Sequence, residues 1–110
     1  LGKIHVVAVE PLASPLLSKG EAGSHKIQGI GANFIPAILN KDVIDEIITV
    51  SNEDAINTAK ELAKNGLMVG ISSGANVFAA SVLAKKFPDK KILTMLNDTA
   101  ERYLSTDLFA

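Results

Sequence analysis

Ile4-His5-Val6-Val7-Ala8-Val9 is a β-rich run that is nearly continuous in apolar character. A strand with one wet face alternates apolar and polar residues. A near-continuous run suits a strand covered on both faces, as in a parallel sheet. Glu46-Ile47-Ile48-Thr49-Val50 and Lys91-Ile92-Leu93-Thr94-Met95-Leu96 read as two more strands. Between them, Ala55, Ile56, Ala59, Leu62 and Ala63 recur at helical spacing, and Ala75 to Lys86 is a second helical segment. Strand, helix and strand alternate, with connections long enough for right-handed crossovers. The predicted architecture is α/β, with a mainly parallel sheet and helices on both faces.

The boundaries follow from local chemistry. Glu10-Pro11 is expected to end the first strand, since proline cannot continue a central one. Ser51 offers an N-cap, and Glu53 and Asp54 suit the first helical turn, where the dipole favours negative charge. Gly66 is a natural stop. Leu67-Met68-Val69 is read as a short strand. The helix from Ala75 is apolar nearly all round, which predicts burial on most faces, and Pro88 closes it. From Pro11 to Pro36 no long periodic segment occurs, and such a loop is usually functional or covers something.

With 110 residues the chain can form one domain with a real core. Its 47% hydrophobic and 21% charged residues are the balance of a soluble globular protein. A formal net charge of -1 gives no basic excess for nucleic acid or an anionic membrane. Cysteine is absent, which excludes disulfides and thiolate metal sites. His5 and His25 belong to no metal-ligand motif. These features point to an intracellular, cytoplasmic protein. No signal peptide opens the chain, and Leu1 is not a start methionine, so the chain reads as cut or processed at its front. Leu67 to Ala84 carries no charge and approaches the length of a membrane span, but Gly70, Ser72, Ser73, Gly74, Asn76 and Ser81 make it a buried helix instead.

Ligands of parallel sheets bind beyond the carboxyl ends of strands. Glu10-Pro11 and Asn97-Asp98-Thr99 follow two such ends, and Gly70-Ile71-Ser72-Ser73-Gly74 follows a third, short one. Ser72 or Ser73 either caps the next helix or points a hydroxyl at a ligand, with Gly74 and Ala75 leaving room for a flat group. The segment has Gly-x-Ser-x-Gly in letters only, because no histidine follows to act as base. Gly29-Ile30-Gly31 lacks the third glycine of a dinucleotide fingerprint, Phe34 standing in its place. Asp98 with Thr99 reads as a turn or cap, Arg102 and Tyr103 as a surface pair or packing anchor, and His25 as a solvated loop histidine. Asp42, Asp45 and Glu46 read as a solvated face. No paired acid and base, triad or metal set is present. The residues by themselves lead to a ligand-binding α/β domain, or half of one.

Three segments carry a resemblance. Val9-Glu10-Pro11 with Ser14-Pro15-Leu16-Leu17-Ser18, then His25-Lys26-Ile27-Gln28-Gly29-Ile30-Gly31-Ala32 and Phe34-Ile35-Pro36, is similar to the cysteine synthase (O-acetylserine sulfhydrylase) family. So are Val69-Gly70-Ile71-Ser72-Ser73-Gly74-Ala75 and Asp98-Thr99 with Glu101-Arg102-Tyr103-Leu104-Ser105-Thr106 and Leu108-Phe109. The matches keep the family's order and cover nearly the whole chain. The resemblance implies a fold type II pyridoxal-phosphate enzyme that replaces the acetate of O-acetylserine with sulfide to give L-cysteine. It places Ser73, in preference to Ser72, at the pyridine nitrogen of pyridoxal phosphate, with Ser72 as cap. It places Gly29 and Ile30 at the active-site mouth. A neutral hydroxyl there leaves the ring closer to neutral than a carboxylate would. Family partners implied in the same way are the rest of the enzyme chain, a second copy in a homodimer, and the tail of serine acetyltransferase.

The chain departs from the family at Asn97 and Ala100, where proline and glycine are common, and at Asn33, where glycine is common. The family's Schiff-base lysine, phosphate-cradling loop and cofactor-holding asparagine have no counterpart here. Residues 1–110 therefore correspond to the carboxyl-terminal portion of the large cofactor-binding domain, with no catalytic residue of their own. Two alternatives stand beside this reading. One is a noncatalytic fragment or docking module of the same fold; the other is a relative such as cystathionine β-synthase or a serine/threonine dehydratase, against which the His25–Gly31 match argues.

Overall fold

The computed structural model describes residues 4–27 and 29–97. Two strands, β1 (Val7–Pro11) and β2 (Glu46–Val50), pair in parallel, from Val7 opposite Glu46 to Pro11 opposite Val50. β1 begins at Val7 rather than the expected Ile4 and runs through Glu10 and Pro11, which are expected from the sequence to lie beyond its end. Pro11 is tolerated because it is the last residue of the strand and gives up only its own N–H. The next amide, Leu12 N–H, donates to Val50 O at 2.8 Å. Ile4–Val6 lie outside the ladder, but Asp45 N–H donates to Val6 O at 2.8 Å and Val6 N–H to Asp45 Oδ2 at 2.7 Å.

β2 and the helix after it match their sequence signals. In α2 (Asn52–Lys64), the Ser51 hydroxyl accepts from Asp54 N–H at 3.0 Å, with Glu53 and Asp54 in the first turn. Gly66 takes φ 90°, the left-handed conformation that lets the chain leave the helix. Leu67-Met68-Val69 forms no strand, only an isolated bridge at Val69. A short α1 (Leu16–Lys19) and a 3-10 turn at Lys41–Val43 lie in the long connection between the strands.

α3 spans Ile71–Lys86, starting earlier than the expected Ala75. Its N-cap is Gly70, with no side-chain cap. The capping role expected of Ser72 or Ser73 is therefore corrected. Both lie inside the first turn, whereas a capping hydroxyl belongs to the half-in residue before it. The expected burial on most faces is corrected too. Ile71–Ala75, Ala79 and Leu83 are buried, but Val82 is 40% exposed. A helix buries only the stripe that has a neighbour, here α2 and the sheet.

The core joins Ile27, Val50, Ala55, Ala59, Ile71, Ala75 and Ala79. Alanine and glycine at the seam bring α2 and α3 close together. Residues 91–96, expected as a third strand, form no ladder among the described residues. They are instead held by α3, where Asn76 Nδ2 donates to Met95 O at 3.1 Å. A strand is defined by a paired neighbour, and among the described residues none pairs with this segment. No helix among the described residues is long and apolar enough to cross a membrane.

The far end of the sheet is tied by charge. Glu46 contacts His5 Nε2 at 2.9 Å and Lys86 Nζ at 3.1 Å, joining β2 to the approach to β1 and the end of α3. His5 packs edge-on against Phe87, and the Lys86 ammonium lies 5.3 Å from the same ring. The hydrogen bond from His5, then that from Lys86, hold the Glu46 carboxyl below its ordinary value. Glu46 and Asp45 are thus joints of the fold rather than members of a merely solvated face.

Candidate functional site

The amino terminus of α3 carries the two serines into the core. Ser72 is 1% exposed and Ser73 fully buried. Two buried hydroxyls side by side need partners, because an unpaired one loses about 1–3 kcal/mol. Ser73 Oγ accepts from Asn97 N–H at 2.9 Å, which fastens the end of the 91–97 segment to the first turn of α3. Ser72 lies beside Gly29. A Cβ built on Gly29 would stand 3.5 Å from Ser72 Oγ. Gly29 has φ 97°, a left-handed conformation that favours glycine.

Ile27 explains why the loop lies there. It is an isolated isoleucine in a glycine-rich connection, yet it is fully buried with Val50, Ala55 and Ile71. Next to it, Lys26 N–H donates to Asn52 Oδ1 at 2.9 Å, hanging the loop on the start of α2. His25 closes the other side. Its Nδ1 accepts from Ile27 N–H at 3.1 Å and its Nε2 lies 2.8 Å from Gly31 O. Ile27 packs with Val50 at the end of β2 and Gly31 lies beside Pro11 at the end of β1, so the loop crosses the carboxyl ends of both strands.

Gly29 and Ile30 also line a cleft of about 530 Å³ with Glu10, Leu17, Asn33 and Phe34. Neither Ser72 nor Ser73 lines it. The structure thus brings Gly29 to Ser72 and places Gly29 and Ile30 at a cleft, but it does not put the serines inside that cleft. Asp98, Thr99, Arg102 and Tyr103 lie outside the described residues.

Sequence reasoning missed three residues that shape this region. His25, read as a solvated loop histidine, makes two backbone contacts. Glu10 is 4% exposed, and its two carboxylate oxygens accept from Leu17 N–H at 2.8 Å and Ser18 N–H at 2.9 Å. Ser14 donates to Asn33 Oδ1 at 2.5 Å and accepts from Gly23 N–H at 3.1 Å. A carboxylate between an apolar strand and a proline was the available signal for Glu10. The bonds of Ser14 span nine and nineteen positions, and no local pattern announces them.

Chemically, the serine step offers neutral hydroxyls in a dry setting, at a helix start where backbone N–H groups converge. Gly29 beside it brings loop backbone close to the Ser72 hydroxyl. That chemistry fits a ring nitrogen needing a neutral hydrogen-bond partner.

Residues 1–98 match the family described as pyridoxal-phosphate dependent enzyme. The chain is 91% identical over 110 residues to cysteine synthase B of Campylobacter jejuni, covering 100% of this chain and 37% of that protein. Among solved structures it is similar to a cysteine synthase from Entamoeba histolytica, at TM-score 0.93 and 43% identity, over 96% of this chain and 32% of that one. It is also similar to an O-acetylserine dependent cystathionine beta-synthase from Helicobacter pylori, at TM-score 0.91 and 41% identity, over 100% of this chain and 36% of that one. The chain thus spans a little over a third of the length of the curated relative it matches.

Proposed function

The chain belongs to the pyridoxal-phosphate dependent enzymes, and we propose that it is the carboxyl-terminal part of a cysteine synthase, making L-cysteine from O-acetylserine and sulfide. The observation that carries the proposal is the 91% identity to cysteine synthase B across the entire chain. On this reading the rest of the enzyme supplies the lysine that binds pyridoxal phosphate, and the whole works in the cytoplasm as a homodimer. The tail of serine acetyltransferase is its candidate protein partner.

Pyridoxal phosphate, when bound, supplies an electron sink for replacement at the substrate's β-carbon. The serine pair would hold its ring nitrogen. Ser73, preferred on resemblance, accepts the Asn97 amide, whereas the Ser72 hydroxyl lies beside Gly29 of the mouth loop. The geometry favours Ser72 as the hydrogen-bond partner of the ring and Ser73 as its support. A hydroxyl there donates or accepts without fixing a positive charge on the ring. Gly29 and Ile30 would border the mouth and exclude water from the reacting end of the substrate.

Two measurements on the natural protein test this. Its intact mass should be about three times that of this chain, as the 37% coverage implies; a mass equal to this chain would sink the proposal. With pyridoxal phosphate added, Ser72→Ala and Ser72→Asp should each shift the cofactor absorbance and lower turnover about tenfold or more, with smaller effects at Ser73. Unchanged absorbance and turnover in the variants of both serines would remove the pair from the cofactor.

The Helicobacter pylori relative favours a second reading, in which the same amino-acid substrate meets a larger thiol and forms a thioether. Comparing kcat/KM for sulfide and homocysteine separates the two.

A further inference from the structure

We infer that His25, in its neutral form with the proton on Nε2, is a positioning residue for the Gly29–Gly31 loop. The inference rests on the reading of that loop as the active-site mouth. Both ring contacts are to backbone groups whose roles cannot change. Ile27 N–H can only donate, so Nδ1, 3.1 Å away, must be a bare acceptor. Gly31 O can only accept, so Nε2, 2.8 Å away, must carry the proton. Together they select one tautomer of the neutral ring. An imidazolium would set a second donor against the Ile27 amide.

The ring joins two fixed points. Ile27 is fully buried in the core, and Gly31 is wedged between His25 and the end of β1. At φ 62°, a Cβ on Gly31 would stand 2.5 Å from Pro11 Cγ and 2.7 Å from His25 Nε2. The imidazole therefore spans the chain on either side of Gly29 and Ile30 and sets how far those residues stand from Ser72. It needs no contact with substrate to do so. A solvated histidine would leave Gly31 O and the Ile27 amide to water, and the loop would lose its far anchor.

The test uses the natural full-length protein loaded with pyridoxal phosphate. Histidine ¹⁵N spectra should show His25 with a protonated Nε2 and a bare Nδ1, its signals identified by their loss in His25→Gln. A proton on Nδ1 would overturn the inference. The two amide variants divide the ring's work. His25→Gln retains a donor that reaches Gly31 O, and His25→Asn retains only an acceptor for Ile27 N–H. Losing the Gly31 anchor should raise KM for the amino-acid substrate about three- to tenfold in His25→Asn, with kcat within about twofold, while His25→Gln stays within about threefold on KM. Wild-type KM in His25→Asn, or equal falls of kcat in both variants, would refute a positioning role. If the wild-type protein shows no replacement activity at all, the functional reading fails, and the nitrogen spectrum still decides whether His25 clamps the loop.

Discussion

A Cβ built on Gly74 would collide with Ala55 O and stand 2.9 Å from Ala59 N, both on α2. In an isolated helix, alanine at such a position would be better than glycine by about 1 kcal/mol. Here the added methyl would have to push two backbones apart, and overpacking a tight seam costs about 1–3 kcal/mol. The steric term outweighs the propensity term because the atoms in the way are backbone, which cannot rotate aside. Gly74→Ala should lower the stability of the protein by about 1–2 kcal/mol, read as a fall in the urea midpoint with an unchanged slope. A raised midpoint would mean that the helices are not in contact at this residue. The room at Gly74 and Ala75, expected from the sequence to admit a flat group, is taken by α2 instead, because both residues are buried against that helix. Ile27 gives the same lesson for the loop. No periodicity marks it, and only its place between Val50, Ala55 and Ile71 makes it a core residue.

At the scale of elements, β2 and α2 were legible because their signals are local. Ser51, the acids after it and Gly66 lie within a turn of the groups they serve. The start of α3 is not legible locally, because two serines resemble a cap in sequence and only the folded backbone shows that they lie within the helix. The joint at Glu46 makes an element-scale prediction. Its carboxyl is held below the ordinary value by His5 and Lys86, so the folded state favours the ionised form. That contribution is present above the ordinary carboxylate range and is lost as pH falls through the lowered folded value. Both partners are about half exposed, so the pair should be worth no more than about 1 kcal/mol. Unfolding at pH 6 and pH 3 should show a smaller loss of stability on acidification in Glu46→Gln than in the wild type. Equal losses would show that Glu46 does not link the strand to α3.

Across the whole molecule, the described sheet has two strands, and two-stranded sheets are marginal in water without further cover. Between β1 and the 90–94 segment lies a cleft of about 610 Å³, floored by Ala79, Ala80 and Leu83 of α3. Leu93 is 94% exposed and Met95 66%. An open sheet edge beside exposed apolar residues promotes association. The 110-residue chain expressed alone should therefore self-associate and bind a hydrophobic dye such as ANS. Leu93→Lys with Met95→Lys should reduce both, as read by light scattering and dye fluorescence. A dye-silent monomer of the unaltered chain would show that this face is covered from within. The third strand was unreadable as a ladder for the same reason: Ile92–Leu96 has strand chemistry, but its pairing depends on a neighbour that its own residues do not contain.

The α/β class, the run of β2, the middle of β1 at Val7–Val9, the capped α2 and the family were legible in the residues alone, because each depends on residue type and short spacing. Only packing shows that Ser72 and Ser73 lie buried within α3, Ser73 bonded to Asn97 and Ser72 beside Gly29. It also decided that His25 is a clamp. Those outcomes depend on contacts between residues far apart in the chain. Whether a hydroxyl or an imidazole is solvated, capping or positioning is set by what packs on it, and no local pattern carries that information.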